Sequence, residues 1–436
     1  KRGSFSQPLK VAVSSIYQVS TVQEDDFDMM NASEILTIEK QLNRGLGASL
    51  SDEEIAAYGE GYNWRDFFWR EGRTSNHNVT ISSGGEKSSQ LTSFGYFHQE
   101  GITITTALQR FNLRNNFNTR SDNGKFKLAS SLSLNFAKSA NRASEGSSSI
   151  NRNLQFGPQY GLPYVYPADK GNDPSAFGDD KGLSVFQITP LILMDLAEKT
   201  VREDEEIKII YNLDTSYDLT DNITFRSVTG LDYAGTDNLY VQPSDQWSAV
   251  YFEGTDDAGL SGIQDLDHTD IFSINQVTSL TWDTTFDKHS LSVAAFTEYF
   301  KAHYQTFGYR SVGLNPKTYY PGDGSAYVGD NSSNDVFVDT TNANLLNAGL
   351  FSYFGSLNYD FDGKYGFSAT ARRDASYRFS QSNRWGTFGS VAFRWNVSEE
   401  DFMSDVSAVD YLKLRASYGT NGNQRISGGG YFTSAD

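Results

Sequence analysis

The sequence predicts an all-β fold, an up-and-down antiparallel β-barrel that crosses a membrane, on three observations. Apolar and polar residues alternate with period two over many segments. The connections between those segments alternate between tight turns and long loops. Most of the acidity sits in the long loops. Period two marks strands whose two faces meet different surroundings. Sorting loop length by end is a property of membrane barrels. Stacked soluble sandwiches have no reason to show it over many strands.

Composition agrees. The 436 residues include 25 Tyr, 30 Phe and 6 Trp, with 38 Gly, 9 Pro and no Cys. The missing cysteines exclude disulfides, thiolate metal sites and cysteine nucleophiles. A net charge of −18 argues against a general nucleic-acid binder. No apolar run reaches 18 residues. The nearest, "ITPLILMDLA" at 188–197, is short and carries an Asp, so no transmembrane helix is expected. The opening "KRGSFSQPLKV" lacks a charged-then-apolar leader, so the sequence reads as unexported or as an internal piece.

About 13 strands are expected, near 8–19, 75–83, 89–99, 110–120, 125–138, 206–218, 223–240, 269–284, 290–309, 345–359, 365–379, 386–397 and 412–421. In 126–136, Phe126, Leu128, Leu132, Leu134 and Phe136 share one face, and Lys127, Ala129, Ser131, Ser133 and Asn135 share the other. In 207–219, Ile207, Ile209, Tyr211, Leu213 and Tyr217 oppose Lys208, Asn212, Asp214 and Ser216. In 365–372, Tyr365, Phe367, Ala369 and Ala371 oppose Gly366, Ser368, Thr370 and Arg372. A lipid face excludes charge, because Arg or Lys at the midplane costs about 2–4 kcal/mol. A watery lumen accepts it.

Tight-turn chemistry joins the strands at one end: "GGEKS" (84–88), "SDNGK" (121–125), "LTDN" (219–222), "TFDKH" (285–289) and "DFDGK" (360–364). The other end carries the long connections 20–74, 139–205, 241–268 and 310–344 and two short ones near 100–109 and 380–385. The four long connections carry −7, −4, −6 and, over 311–343, −3, which leaves the remainder slightly positive. Aromatics gather near both strand ends. Tyr217, Phe286, Tyr359, Phe361, Tyr365, Trp395, Phe402 and Tyr411 lie at the turn side, and Tyr17, Phe97, Tyr233, Tyr299, Tyr377 and Tyr418 at the loop side. Two belts are what membrane interfaces predict, although Tyr and Phe are also common in ordinary strands. Within 20–74, "ASEILTIEKQLNRG" (32–45) has helical spacing, Ser33 as a candidate cap and Gly45 as a stop; "LSDEEIAAYG" (50–59) reads as a short capped helix.

Catalytic and metal signatures are missing. His77, His98, His268, His289 and His303 show no metal-ligand spacing, and neither "GDGSAYVGD" (322–330) nor "GLGASL" (45–50) meets a nucleotide fingerprint. Acid pairs such as Asp25–Asp26 and Asp256–Asp257 leave loop calcium open, and no other cofactor is expected. No enzyme activity is expected.

Segment "NHNVTISSGGEKSSQLTSFGYFHQEGI" (76–102) resembles the hairpin of SusC/RagA-type TonB-dependent outer-membrane transporters. It does so through His77-Asn78, Gly84-Gly85, Gly95-Tyr96-Phe97 and Gln99-Glu100-Gly101-Ile102. "GKYGFSATARRDASYRF" (363–379), with Arg372, Arg373, Asp374, Arg378 and Phe379, is similar to that family's Arg-Arg-Asp strand. "FGSVAFRWNVSEEDFM" (388–403) and "DYLKLRASYGTNGNQ" (410–424) continue it in order, and Lys1-Arg2-Gly3 resembles the end of its plug domain. The resemblance implies a barrel of about 22 strands with an N-terminal plug. Residues 1–7 would end the plug and 8–436 would supply 13 strands of the barrel. It further implies a SusD-like surface lipoprotein as partner, energy from TonB, a Gram-negative outer membrane, and glycan or peptide oligomers as cargo.

On that expectation Lys127, Asn135, Asn212, Arg372, Arg394, Lys413 and Arg415 line the lumen and hold the plug. Trp64, Phe156, Tyr160, Tyr164, Tyr166, Tyr319 and Tyr320 are candidates for contact with cargo, with loop packing the plainer reading of each. The alternatives are a secreted multi-sandwich adhesin and a passive porin.

Overall fold

The computed structural model describes residues 3–23, 28–140, 153–154, 156–251, 262–314, 320–322, 339–404 and 408–422. Thirteen strands form one antiparallel sheet in sequence order, each bonded to the next. They are β1 (Lys10–Ser20), β2 (Gly72–Gly84), β3 (Ser88–Glu100), β4 (Ala107–Arg120), β5 (Phe126–Ala140), β6 (Val201–Asp218), β7 (Ile223–Gln242), β8 (Ile263–Phe286), β9 (His289–Val312), β10 (Thr340–Phe361), β11 (Tyr365–Ser376), β12 (Trp385–Asn396) and β13 (Lys413–Gly419). No second sheet faces this one among the described residues, so the sandwich alternative fails. The sheet is part of an up-and-down barrel, with β1 and β13 at its two open edges.

All five expected tight turns are present. Non-glycine residues in the left-handed region, Asp287 (φ 51°) and Asp362 (φ 55°), make two of them, a conformation Asp tolerates better than most. Strands β6, β8, β9 and β10 run further toward the loop end than alternation indicates. The acidic "VREDEE" stretch at 201–206, for example, pairs with 236–241. Ladder hydrogen bonds with a neighbouring strand extend a polar segment that shows no apolar rhythm of its own.

The buried apolar core lies mostly outside the sheet. Leu36, Ile55, Trp64, Phe68, Tyr164, Val165, Leu191, Ile192, Leu193 and Trp247 form one cluster. Its members come from three separate connections, most of them from the helices α1 (Ala32–Gln41), α2 (Asp52–Tyr58), α3 (Trp64–Phe68), α5 (Thr189–Lys199) and α6 (Trp247–Tyr251), and Phe177 of α4 (Pro174–Lys181) packs against it. Two predicted helices are therefore present. The cap of α1 is Asn31 rather than Ser33, because the Asn31 side chain accepts from Glu34 N–H while Glu34 returns a bond to Asn31 N–H. The run at 188–197 is the buried helix α5. Among the described residues no helix is long and apolar enough to cross a membrane, which leaves crossing by strands untouched.

Candidate functional site: the lumen wall and the outer mouth

Residues directly opposite in an antiparallel ladder point to the same face. Following the register from Lys127 through Ser216, Arg226, Ser279, Phe296 and Phe354 to Arg372 puts one row on one face. The same bookkeeping places Asn135, Asn212, Arg394, Lys413 and Arg415 on that face. All seven lumen candidates therefore share one surface.

The opposite face carries Phe126, Leu132, Leu134, Leu213, Phe225, Leu280, Trp282, Phe367 and Phe393. None of these belongs to the buried core, and Phe225, Leu280, Trp282, Phe367 and Phe393 are exposed. Counting from the turn end, this face carries no Asp, Glu, Lys or Arg on any strand until Arg73, Glu100, Lys138, Glu205, Asp237, Asp270, Lys301 and Arg373. On most strands that clear stretch is about eleven residues. At about 3.3 Å per residue and a tilt near 40° it spans about 28 Å, close to the apolar band of about 25 Å that membrane barrels present. Beyond it the same face turns charged: Lys138 pairs with Glu203 and Glu205 at 2.9 Å, and His268 sits between Asp237 and Asp270. Rings cluster at both margins. Phe286 and Phe361 pack on His289, with Tyr365 stacked on Trp395, at the turn side. Tyr353 packs with Trp385, under Arg373, on the other side.

The lumen face is polar and cross-linked. Arg226 grips Asp214 with two bonds, Nε–Oδ1 at 2.9 Å and Nη2–Oδ2 at 2.7 Å. Arg310 grips Asp265 likewise, at 2.7 Å twice. Such paired geometry is the strong form of this contact. Lys127 reaches Asp218 at 3.2 Å, and Arg394 bonds Asp360. Asn135 and Asn212 donate to Ser133 and Ser131, at 3.4 and 3.5 Å. Arg372 is the most elaborated. It donates to Glu298 (2.5 Å), Asp374 (2.6 Å) and Ser352 Oγ (2.9 Å) and lies 4.6 Å above the Phe354 ring. That ring stacks on Phe296 at 4.5 Å. Lys413 and Arg415 stand on β13, with Arg415 directly opposite Arg394. The partners Asp214, Asp265 and Glu298 were absent from the sequence candidates. The turn "LTDN" would have exposed one of them, since it sets 214 across from 228 and beside 226.

At the outer mouth the aromatic candidates divide. Trp64 and Tyr164 are 2% and 3% exposed and belong to the core of the helical lobe. Trp64 Nε1 donates to the Val165 carbonyl at 3.0 Å, and Tyr164 donates its hydroxyl to Glu39 at 2.7 Å. Burial first, then the Glu39 carboxylate, push the Tyr164 phenol well above its ordinary value. Packing claims these two, the plainer of the two readings the sequence left for each. Tyr166 is half-buried; Phe156, Tyr160 and Tyr320 are exposed. Tyr319 lies outside the described residues, as do Lys1, Arg2 and the acid pairs at 25–26 and 256–257. Among the described residues no group of three or more His, Asp or Glu is placed to hold a metal ion.

One buried carboxylate ties the lobe together. Asp195, fully buried, accepts from Trp247 N–H at 2.7 Å and pairs with Lys170 (3.1 Å) and Lys199 (2.9 Å). Burial pulls the Lys170 ammonium down, but Glu198 and Asp195 outweigh it and hold it above its ordinary value. The β5–β6 and β7–β8 connections are thus locked to each other.

No family model matches the chain. Among curated proteins it is 26% identical to the TonB-dependent receptor P3 of Formosa agariphila over 443 residues, covering 98% of this chain and 39% of that protein. It is 24% identical to the TonB-dependent receptor SusC of Bacteroides thetaiotaomicron over 452 residues, covering 98% and 40%. The chain spans about two fifths of the length of these curated relatives. Among solved structures it superposes on the RagAB peptide importer in its open-open state with a TM-score of 0.69 at 19% identity, covering 98% of this chain and 48% of that one.

Proposed function

We propose that this chain, similar over nearly its whole length to TonB-dependent receptors such as SusC, is part of such a transporter and forms a section of the wall of an energised importer for oligomeric nutrients in the outer membrane. The observation that carries this reading is the two-faced sheet: an uncharged apolar band on one surface and paired charges on the other. The first suits acyl chains and the second suits a water-filled lumen.

In this reading residues 1–7 close a plug and the remaining residues belong to a barrel of about 22 strands. Strands from elsewhere in the longer protein satisfy the open edges of β1 and β13. Lys127, Arg372, Arg394, Lys413 and Arg415, with Asn135 and Asn212, face plug and cargo. A SusD-like lipoprotein caps the mouth. The exposed Met29, Met30, Ile38, Leu42, Phe156, Tyr160 and Phe186 of the helical lobe offer it apolar surface, and Phe156, Tyr160 and Tyr320 remain open to cargo. The cargo is a glycan or peptide oligomer, and the protein binds and gates without covalent chemistry.

Uptake of labelled oligomers by cells with and without the gene tests the reading. Loss of uptake on deletion, and on collapse of the proton gradient in wild-type cells, is the expected result. Gene-dependent uptake that ignores the gradient would instead make the protein a passive porin.

A further inference from the structure

We propose that the lumen face holds, just beneath the outer mouth at β10–β12, a subsite for the C-terminal residue of a peptide, which binds its apolar side chain and its free carboxylate. The proposal rests on the import reading and narrows its cargo.

A recess of about 640 Å³ opens there, within the range of small-ligand sites. Leu350, Phe379 and Phe388 supply apolar walls; Asn383, Arg384 and Asn421 supply the polar rim. Leu350 and Phe388 both stand on the lumen face, by their register with Ser376 and Arg372. Together with Phe379 they give the recess an apolar wall suited to an apolar side chain.

The recess is built rather than incidental. A Cβ on Gly386 would fall 2.8 Å from the Phe388 ring, and one on Gly422 would fall 2.2 Å from it. Only glycine at both positions lets the ring lie where it does, held between two backbones. The rim is ordered by its own backbone: Ser376 N–H donates to the Arg384 carbonyl (3.1 Å), Asn383 N–H to Ser380 (3.0 Å) and Phe379 N–H to Ser376 (3.3 Å).

Charge selects the ligand. Arg372 and Asp374 also line the recess, but they are spent on each other and on Glu298, so neither offers the ligand a free charge. Arg384 is exposed and makes no ion pair with any described residue. A guanidinium of this kind takes a carboxylate in a two-bond grip. The carboxamides of Asn383 and Asn421 each offer donors and an acceptor, which matches a peptide unit. The long loops around the mouth are strongly acidic, so their field repels a polyanion. A peptide end with one carboxylate meets far less repulsion than an acidic polysaccharide does.

Calorimetric titration of the full-length receptor, purified in detergent, tests this with an alanine hexapeptide ending in leucine and its C-terminal amide. The free acid is expected to bind about tenfold more tightly than the amide, a charged hydrogen bond's worth. Arg384→Gln should bring the acid down to the amide and leave the amide unchanged. Phe388→Ala should weaken both, while binding of an all-alanine hexapeptide stays as in wild type. Phe388→Leu serves if the alanine variant fails to fold, judged by retained heat-modifiable migration in gels. Absence of peptide binding, equal binding of acid and amide, or an acid preference that survives Arg384→Gln overturns the proposal. Gradient-dependent uptake with no acid preference would remove this subsite alone. An acid preference without gradient-dependent uptake would remove the import reading instead.

Discussion

The sheet and the helical lobe at its outer end solve opposite problems. The sheet has almost no buried apolar core of its own: Phe225, Leu280 and Trp282 lie open on its outward face. The lobe buries Trp64, Phe68, Leu191 and Ile192 as completely as any soluble domain. The sheet needs lipid to cover its apolar surface, whereas the lobe covers its own by drawing three connections together. Each region thus reports its solvent. Where apolar groups stay outside, the surroundings are hydrocarbon; where they turn inward, the surroundings are water.

Substitutions sharpen this contrast, and the largest effect belongs to the lobe. Trp64→Ala should cost the lobe about 3–5 kcal/mol. The expected outcome is rapid proteolysis in the 28–71 and 156–200 stretches with the heat-modifiable barrel intact. Joint loss of lobe and barrel would show the two to be one cooperative unit. Next comes the sheet. Leu132→Arg should destabilise the full-length protein in lipid vesicles by about 2–4 kcal/mol, measured by urea unfolding. Ser133→Arg, one residue on and facing the lumen, should change it by well under 1 kcal/mol; equal effects would break the comparison. Asn31→Ala, which removes the cap of α1, should cost about 1 kcal/mol, seen as faster amide exchange over 32–41 alone. Smallest is Lys127→Ala. Its exposed pair with Asp218 should contribute no more than about 1 kcal/mol in unfolding.

The same contrast explains what the sequence made legible. Strand number, the five tight turns and the faces of Lys127, Asn135, Arg372 and Arg415 could be read because alternation is local and records two solvents at once. Which loop aromatics pack, as Trp64 and Tyr164 do, and which stay open could not be read, because a loop aromatic's burial depends on partners far along the chain. Val165, which accepts the Trp64 indole bond, lies 101 residues away. The ion-pair partners Asp214 and Glu298 became visible only with register. The recess at Phe388 went unseen because it borders a short connection (377–384), away from the long loops where cargo contacts were sought.

The 436 residues carry no cysteine, so once any cysteine elsewhere in the longer protein is replaced by serine the central claim can be tested without background. Single cysteines at 128–136 of β5, spin-labelled in the full-length protein in lipid vesicles, report access to oxygen, which concentrates in acyl chains, and to a water-soluble nickel chelate. The account predicts a strict two-residue alternation, with 128, 130, 132, 134 and 136 open to oxygen and 129, 131, 133 and 135 open to nickel. Uniform nickel access along the strand, or the opposite phase, would contradict it.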